Sequence, residues 1–313
     1  MKVVMINDCA FVGETLLRYM PPDIEKKHIK RSRGLWSKTL GVAYKIFRAK
    51  GDVYHAHYLL QDCYIAARLG KKPLIGHAHG SDLRTNLNHP LWGRIVRHNL
   101  KKCDKVLIST PDVRGVAKQF REDAEYLPNP VDTEFFYPKP LIKHNGKKKV
   151  LIASDSNWTV KGTDTAIRAL SKIKDEINVS IIEYGVDFSK TLSLASSLGL
   201  RLNILPKISH EKLNQYYWNS DVVIDRFKLG SLGVVSLEAI ACGRPVIVYI
   251  SSEFQEYSNF PLKDVQTEDE VASTIKEANE ELWKREHDYL RNEHNVDVVL
   301  EKLMKIYDCV RSC

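Results

Sequence analysis

The segment Asp225–Pro245 reads DRFKLGSLGVVSLEAIACGRP, and its residue types suit the binding of a phosphorylated, hydroxyl-rich ligand. An apolar run ends at Asp225, and a turn with Gly230 and Gly233 follows. A helix is predicted from near Val234 to near Cys242, with Gly243 just past its end and Pro245 stopping further helix. A helix start of this kind carries unpaired backbone N–H groups at the positive end of its dipole, and phosphate binds there. Gly233 has no side chain to hinder the approach. Glu238 lies about one turn in, where a carboxylate can accept hydrogen bonds from vicinal sugar hydroxyls.

Other chemistries find no residues to carry them. No Asp-x-Asp occurs, so the usual carboxylate clamp for a divalent ion is missing, and no His/Cys set has zinc spacing. No pair of carboxylates suits hydrolysis with a covalent intermediate. The six cysteines are scattered without a CxxC pair and read as reduced thiols of a cytosolic protein. His55, His57 and His77 sit near strand ends and read as hydrogen-bonded structural residues.

These groups need strands and helices to position them. Short β-branched runs recur at 3–6, 53–57, 74–79 and 106–109, and again at 150–154, 179–185, 202–206, 222–225 and 246–250. Helix-like segments lie between most of them, which predicts βαβ units with right-handed crossovers and parallel sheets. The stretch 137–149, with two prolines, a glycine and a lysine run, reads as a linker. The last helix carries Val299, Leu303, Ile306 and Val310 at helical spacing. In open α/β sheets, ligands bind beyond the carboxyl ends of the strands.

The chain has 313 residues and a net charge of +8. Residues 1–146 hold 25 Lys/Arg against 14 Asp/Glu, a balance of +11, and the remainder 22 against 25, a balance of −3. Residues 26–50 carry nine basic side chains and no acid. Such asymmetry points to an anionic partner of the first half: a membrane surface, nucleic acid or a phosphorylated acceptor. No nucleic-acid recognition motif accompanies it. From Trp36, the residues Leu40, Ala43 and Phe47 recur at helical spacing with Lys38, Lys45 and Arg48 opposite. This pattern fits either a core-facing stripe or a helix lying on a membrane. Together with Lys30, Arg31 and Arg33 these cations are the expected membrane or acceptor face.

Glu238, Ala239, Ile240, Ala241, Gly243, Pro245 and Val246 resemble the donor signature of retaining glycosyltransferase family four, Glu-x7-Glu followed by Ala-Met/Ile-Ala-x-Gly-x-Pro-Val. The first Glu position holds Gly230. Some sub-branches carry an Asp five residues earlier and a Gly here, which makes Asp225 the substitute. SDSNWTVKGTD (154–164) resembles the family's Arg-x4-Lys-Gly-x-Asp loop, with Lys161, Gly162 and Asp164 in place and Ser156 where the Arg stands. LIGHAHGSD (74–82) resembles the family's His-Gly-x-Asp strand end, PNPVDTEFFYP (128–138) the stretch before its linker, and 204–224 the stretch whose backbone meets the base.

The resemblance implies an α/β GT-B fold. It consists of two Rossmann-like domains, 1–140 and 148–295, with parallel sheets facing across a deep cleft, and a C-terminal helix, 296–313, crossing back. It implies metal-independent, configuration-retaining transfer of a sugar from a nucleoside-diphosphate donor to an acceptor hydroxyl, lipid-linked, on a glycan or on a protein. The catalytic residues would be His79 and Asp82, and the donor residues Gly13, Lys161, Ile208, Asp225, Gly233, Val234 and Glu238, with Arg226 a further candidate cation. No cofactor is expected. The expected location is the cytoplasm, peripherally on the inner face of the membrane. The departures at 230 and 156 leave open a catalytically impaired sugar- or nucleotide-binding protein, and an epimerase can share the fold. Base, sugar, acceptor and oligomeric state are not encoded in any motif.

Overall fold

The computed structural model describes residues 1–31, 40–140 and 146–312. The chain divides into two compact units, Met1–Pro130 with His294–Cys313, and Val131–Glu293.

Among the described residues the first unit holds β1 (Lys2–Ile6), β2 (Glu25–Ile29), β3 (Val53–His57), β4 (Leu74–Ala78), β5 (Lys105–Ile108) and β6 (Glu125–Tyr126). They form one parallel sheet in the order β2-β1-β3-β4-β5-β6. The inner strands are buried along their length, as continuous apolar runs require when helices cover both faces. β2, EKKHI, was not anticipated. Its outer residues are exposed, and a lysine-rich edge strand lacks the apolar signature of its neighbours. One core lies between the sheet and the helices Leu40–Arg48, Gln61–Arg68 and Trp92–Lys102. The other includes Val3, Met5, Val12 and Leu16 with Val299, Leu303 and Tyr307 of the final helix Val296–Ser312.

The second unit holds β7 (Lys148–Ile152), β8 (Ile177–Ile182), β9 (Leu202–Leu205), β10 (Val222–Ile224) and β11 (Val246–Ile247). Their order is β11-β10-β7-β8-β9, again all parallel. The order reverses between β7 and β10 in this unit, and between β1 and β3 in the first. Each switch point opens a crevice at the strands' carboxyl ends.

The units divide at Pro130, not at 140. Val131 and Phe136 are buried in the second unit's core, and the Trp218 indole N–H donates to Tyr137 O at 2.9 Å. Arg244, almost fully buried, donates to Lys139 O at 2.8 Å. The first part of the expected linker therefore belongs to the second unit, and residues 141–145 lie outside the described residues. Likewise the second unit ends at Glu293 rather than 295.

Candidate functional site

In the second unit, the loop after β7 and the turn after β10 flank the switch point and bring Lys161 and Asp225 together. The Phe227 N–H donates to Lys161 O at 2.7 Å, pinning the lysine loop to the residues after β10. Lys161 Nζ then lies 3.5 Å from Asp225 Oδ1 and 3.8 Å from Asp155 Oδ1. Arg226 Nε is 3.4 Å from Asp225 Oδ2, too far for a hydrogen bond of good geometry, and has no hydrogen-bond partner. The Ser236 hydroxyl donates to Asp225 Oδ2 at 2.8 Å. Asp225 is fully buried, and burial by itself would raise its pKa. Lys161, Arg226 and Ser236 outweigh that and hold it below the usual carboxylate value. Burial and then Arg226 lower the Lys161 pKa, against Asp225 and Asp155.

The predicted helix runs Val234–Ala241 with Gly233 as N-cap, and no side chain caps it. A Cβ on Gly233 would lie 2.2 Å from Arg226 Nη2 and 2.3 Å from Asp225 Oδ2. The absence of a side chain at 233 is what lets the ion cluster rest on the helix start. The helix ends as expected: the Gly243 N–H bonds Ile240 O and the Arg244 N–H bonds Ala239 O, a Schellman closure.

Glu238 is buried, and its oxygens already have partners. Oε1 is 2.6 Å from His210 Nε2, and Oε2 accepts from the Tyr217 hydroxyl at 2.8 Å. A sugar hydroxyl would share these oxygens rather than find them open. His210 and Tyr217 carried no sequence signal, because they reach Glu238 from 28 and 21 residues away. Ile208 is half-buried in the loop before His210, and Val234 is half-buried at the helix start.

The departure at Gly230 has a steric cause. Gly230 has φ 63°, and a Cβ there would meet Ser251 Cβ at 2.8 Å, so a glutamate does not fit this backbone. Ser156 is fully buried, with its N–H bonded to Tyr184 O and its backbone against Gly185.

The first unit carries its own strand-end cluster. His79 Nε2 is 2.8 Å from His57 Nδ1, and His79 Nδ1 is 3.2 Å from Ser109 Oγ. His57 stacks on His55, and His55 Nδ1 meets the Tyr307 hydroxyl at 2.7 Å. Burial, then neighbouring imidazoles, lowers the pKa of His55, His77 and His79 well below its usual value. His57 is lowered to about 4 by burial. The four rings are neutral. The nitrogens of His55, His57 and His77 lie within 4.8 Å of one another, but the His55 and His57 rings are nearly parallel, so their lone pairs do not converge on one point.

Two further expected site residues are engaged within this unit. Asp82 is fully buried with Oδ2 accepting from Leu59 N–H and Oδ1 from Gly80 N–H, each at 3.0 Å. It ties the His79 loop to the end of β3, which is a positioning role. Gly13 is the second residue of the helix Val12–Tyr19, and Asp8 takes the N–H groups there: Oδ1 accepts from Gly13 at 2.8 Å and Oδ2 from Glu14 at 3.2 Å. A Cβ on Gly13 would meet His57 Nε2 at 2.8 Å. An internal carboxylate thus takes the N–H groups of Gly13 and Glu14. Nearby, Asn7, Ala10, Phe11 and Tyr58 all adopt positive φ, backbone strain of the kind that clusters at functional sites. Cys9 Sγ meets the Tyr58 hydroxyl at 2.8 Å, and burial pushes its thiol up to about 12, so it is not a ready nucleophile.

The basic face is divided. Lys30 pairs with Glu14, and Arg31 grips Asp62 through two 2.8 Å bonds. Lys45 and Arg48 are exposed, and Arg33 and Lys38 lie outside the described residues.

Solved structures share this architecture across nearly the whole chain. Sucrose-phosphate synthase from Thermosynechococcus elongatus matches with a TM-score of 0.76 at 14% identity, covering 100% of both chains. An Anabaena protein solved with UDP and glucose gives 0.76 at 13% identity, over 99% of this chain and 100% of that one. The chain has the GT-B fold. On it, residues 137–259 match the model of glycosyl transferases group 1, and residues 17–135 that of Glycosyltransferase Family 4. N-acetyl-alpha-D-glucosaminyl L-malate synthase of Bacillus anthracis is 22% identical over 63% of this chain and 56% of its own length. GDP-mannose-dependent alpha-(1-6)-phosphatidylinositol monomannoside mannosyltransferase of Mycolicibacterium smegmatis is 27% identical over 58% of this chain and 53% of its own. The chain thus spans little more than half the length of these curated relatives. Both halves of the chain thus match glycosyltransferase family models.

Proposed function

We propose that this GT-B chain transfers a sugar from a nucleoside-diphosphate donor to an acceptor hydroxyl, with the donor diphosphate held by the second unit. The observation that carries the reading is the pair Lys161 and Arg226 on the uncapped start of the helix Val234–Ala241, with Arg226 Nε making no hydrogen bond. Two cations and a helix start together match the charge of a diphosphate. In the proposed reaction the bond between the anomeric carbon and the phosphate oxygen breaks, and its electrons stay with the diphosphate. The acceptor oxygen forms the new bond and its proton passes to the departing phosphate, on the same face, so configuration is retained. Lys161, Arg226 and the helix N–H groups stabilise the growing negative charge without a metal ion. Asp225 orients both cations, and Glu238 with His210 receives sugar hydroxyls. His79 of the first unit is a neutral imidazole with both ring nitrogens engaged within that unit. His57 and Ser109 hold its orientation.

The test is release of nucleoside diphosphate from a panel of nucleotide sugars, with and without candidate acceptors. Acceptor-dependent release that falls in Lys161→Ala and Arg226→Ala supports transfer. Release independent of acceptor points to hydrolysis or epimerisation, and binding without turnover to a non-catalytic protein; either result overturns the proposal.

A further inference from the structure

Of the two readings of the stripe Leu40–Ala43–Phe47, the structure excludes the core-facing one: the helix Leu40–Arg48 turns another side to the core. Val42 and Ile46 are buried, with Ala49 beyond the helix end. Leu40, Tyr44 and Phe47 point outward, 61%, 64% and 62% exposed. With Ala43 and with Tyr64, Ile65, Arg68 and Leu69 of the neighbouring helix, they line an apolar groove of about 400 Å³. The Lys71 ammonium holds this helix end in place by donating to Phe47 O at 3.0 Å and Ala49 O at 2.7 Å.

A second concavity of about 460 Å³ adjoins the groove and shares Arg68 with it. Its lining brings Arg68, Lys71, Lys72, His98, Lys101 and Lys102 together against one acid, Asp104, among the described residues. Asp104 is already engaged by the Leu74 N–H and by Lys72. His98 Nε2 is buried without a partner. Lys45 and Arg48 add exposed cations on the groove's own helix.

We infer that this face of the first unit docks on an anionic lipid bilayer. Leu40, Tyr44 and Phe47 enter the interface, and the Arg68–Lys102 pocket takes headgroup phosphates. Charge complementarity selects this occupant: large apolar side chains rimmed by cations are what an interfacial helix presents to anionic lipid. The aromatic Tyr44 suits the boundary between the headgroup and acyl regions. No helix among the described residues is long and apolar enough to cross a membrane. None of these residues belongs to the proposed donor site, so the inference stands apart from it.

Co-sedimentation with phosphatidylglycerol vesicles and with phosphatidylcholine vesicles tests the inference. The intact chain should bind the anionic vesicles, lose that binding in high salt, and leave the neutral vesicles in suspension. Phe47→Ser and the pair Lys101→Glu with Lys102→Glu should each weaken binding by about tenfold or more. All three side chains are at least partly exposed, and an unchanged thermal melt confirms folding. Equal binding to both vesicle types, no binding to either, or either variant binding as the parent does would overturn the inference. So would retention of the chain by an acidic protein surface with none by vesicles.

Discussion

Lys161 and Asp225 stand 64 residues apart in the chain and 3.5 Å apart in space, across the switch point of the second sheet. The lysine's charge is partly neutralised by Asp225 and Asp155, and it competes with Arg226 for the same carboxylate. An arriving diphosphate would replace these distant contacts with closer ones. Lys161→Ala and Arg226→Ala should each lower kcat/KM by about 10²–10³, as the loss of one preorganised donor does. Steady-state kinetics with the best donor reads this. A change under threefold in both variants would move the diphosphate elsewhere.

Asp225→Asn keeps the shape and the Ser236 contact but takes the carboxylate from two part-buried cations. It should destabilise the second unit by about 3 kcal/mol, read from urea unfolding. Donor binding measured below saturation should weaken as well, because Lys161 and Arg226 lose the group that orients them. A fully stable Asp225→Asn would show that the cluster is solvated and not buried.

Gly230→Glu restores the residue of the wider motif. The backbone there has φ 63° and Ser251 lies too close, so the variant should lose about 1–3 kcal/mol of stability and gain no activity. An increase in turnover at undiminished stability would show that the turn can accommodate a carboxylate.

The Glu238 partners make a separate prediction. Glu238→Ala leaves the Tyr217 hydroxyl, which is wholly buried, without its acceptor, at a cost of about 1–3 kcal/mol. Tyr217→Phe should cost less, since Oε1 keeps His210. The ratio of the two losses, taken from denaturation midpoints, checks the arrangement. Equal losses would mean that Tyr217 and not Glu238 holds the site.

The histidine ladder sets a pH limit. The pKa values of His55, His57, His77 and His79 are all lowered in the folded state, His57 from 6.5 to about 4. Above pH 6.5 the rings are neutral whether the chain is folded or not, and they cost nothing. Below it the unfolded chain takes up protons that the folded chain refuses, so stability falls as pH drops toward about 4. His57 alone accounts for about 3 kcal/mol over that window. Urea midpoints at about pH 7 and pH 5 measure it, and a flat profile between them would refute the neutral stack.

Much of the second unit was legible in its sequence. Continuous apolar runs marked the buried parallel strands, and Gly243 with Pro245 marked the end of the helix from Val234, because these signals are local and act within one turn or one strand. β2 was not legible, since an edge strand needs no apolar pattern. His210 and Tyr217 on Glu238, Asp8 on the Gly13 helix start, and the Asp82 clamp on Leu59 were hidden for another reason. Each joins segments distant in sequence through a single polar contact, which leaves no periodicity behind.

What the sequence determined by itself was the α/β class and the position of the helix start at Val234, both properties of short segments. The tertiary structure alone decided which side of the helix Leu40–Arg48 meets the core. Leu40–Ala43–Phe47 and Val42–Ile46–Ala49 are both apolar at helical spacing, and only packing against the first sheet buries one and leaves the other in water.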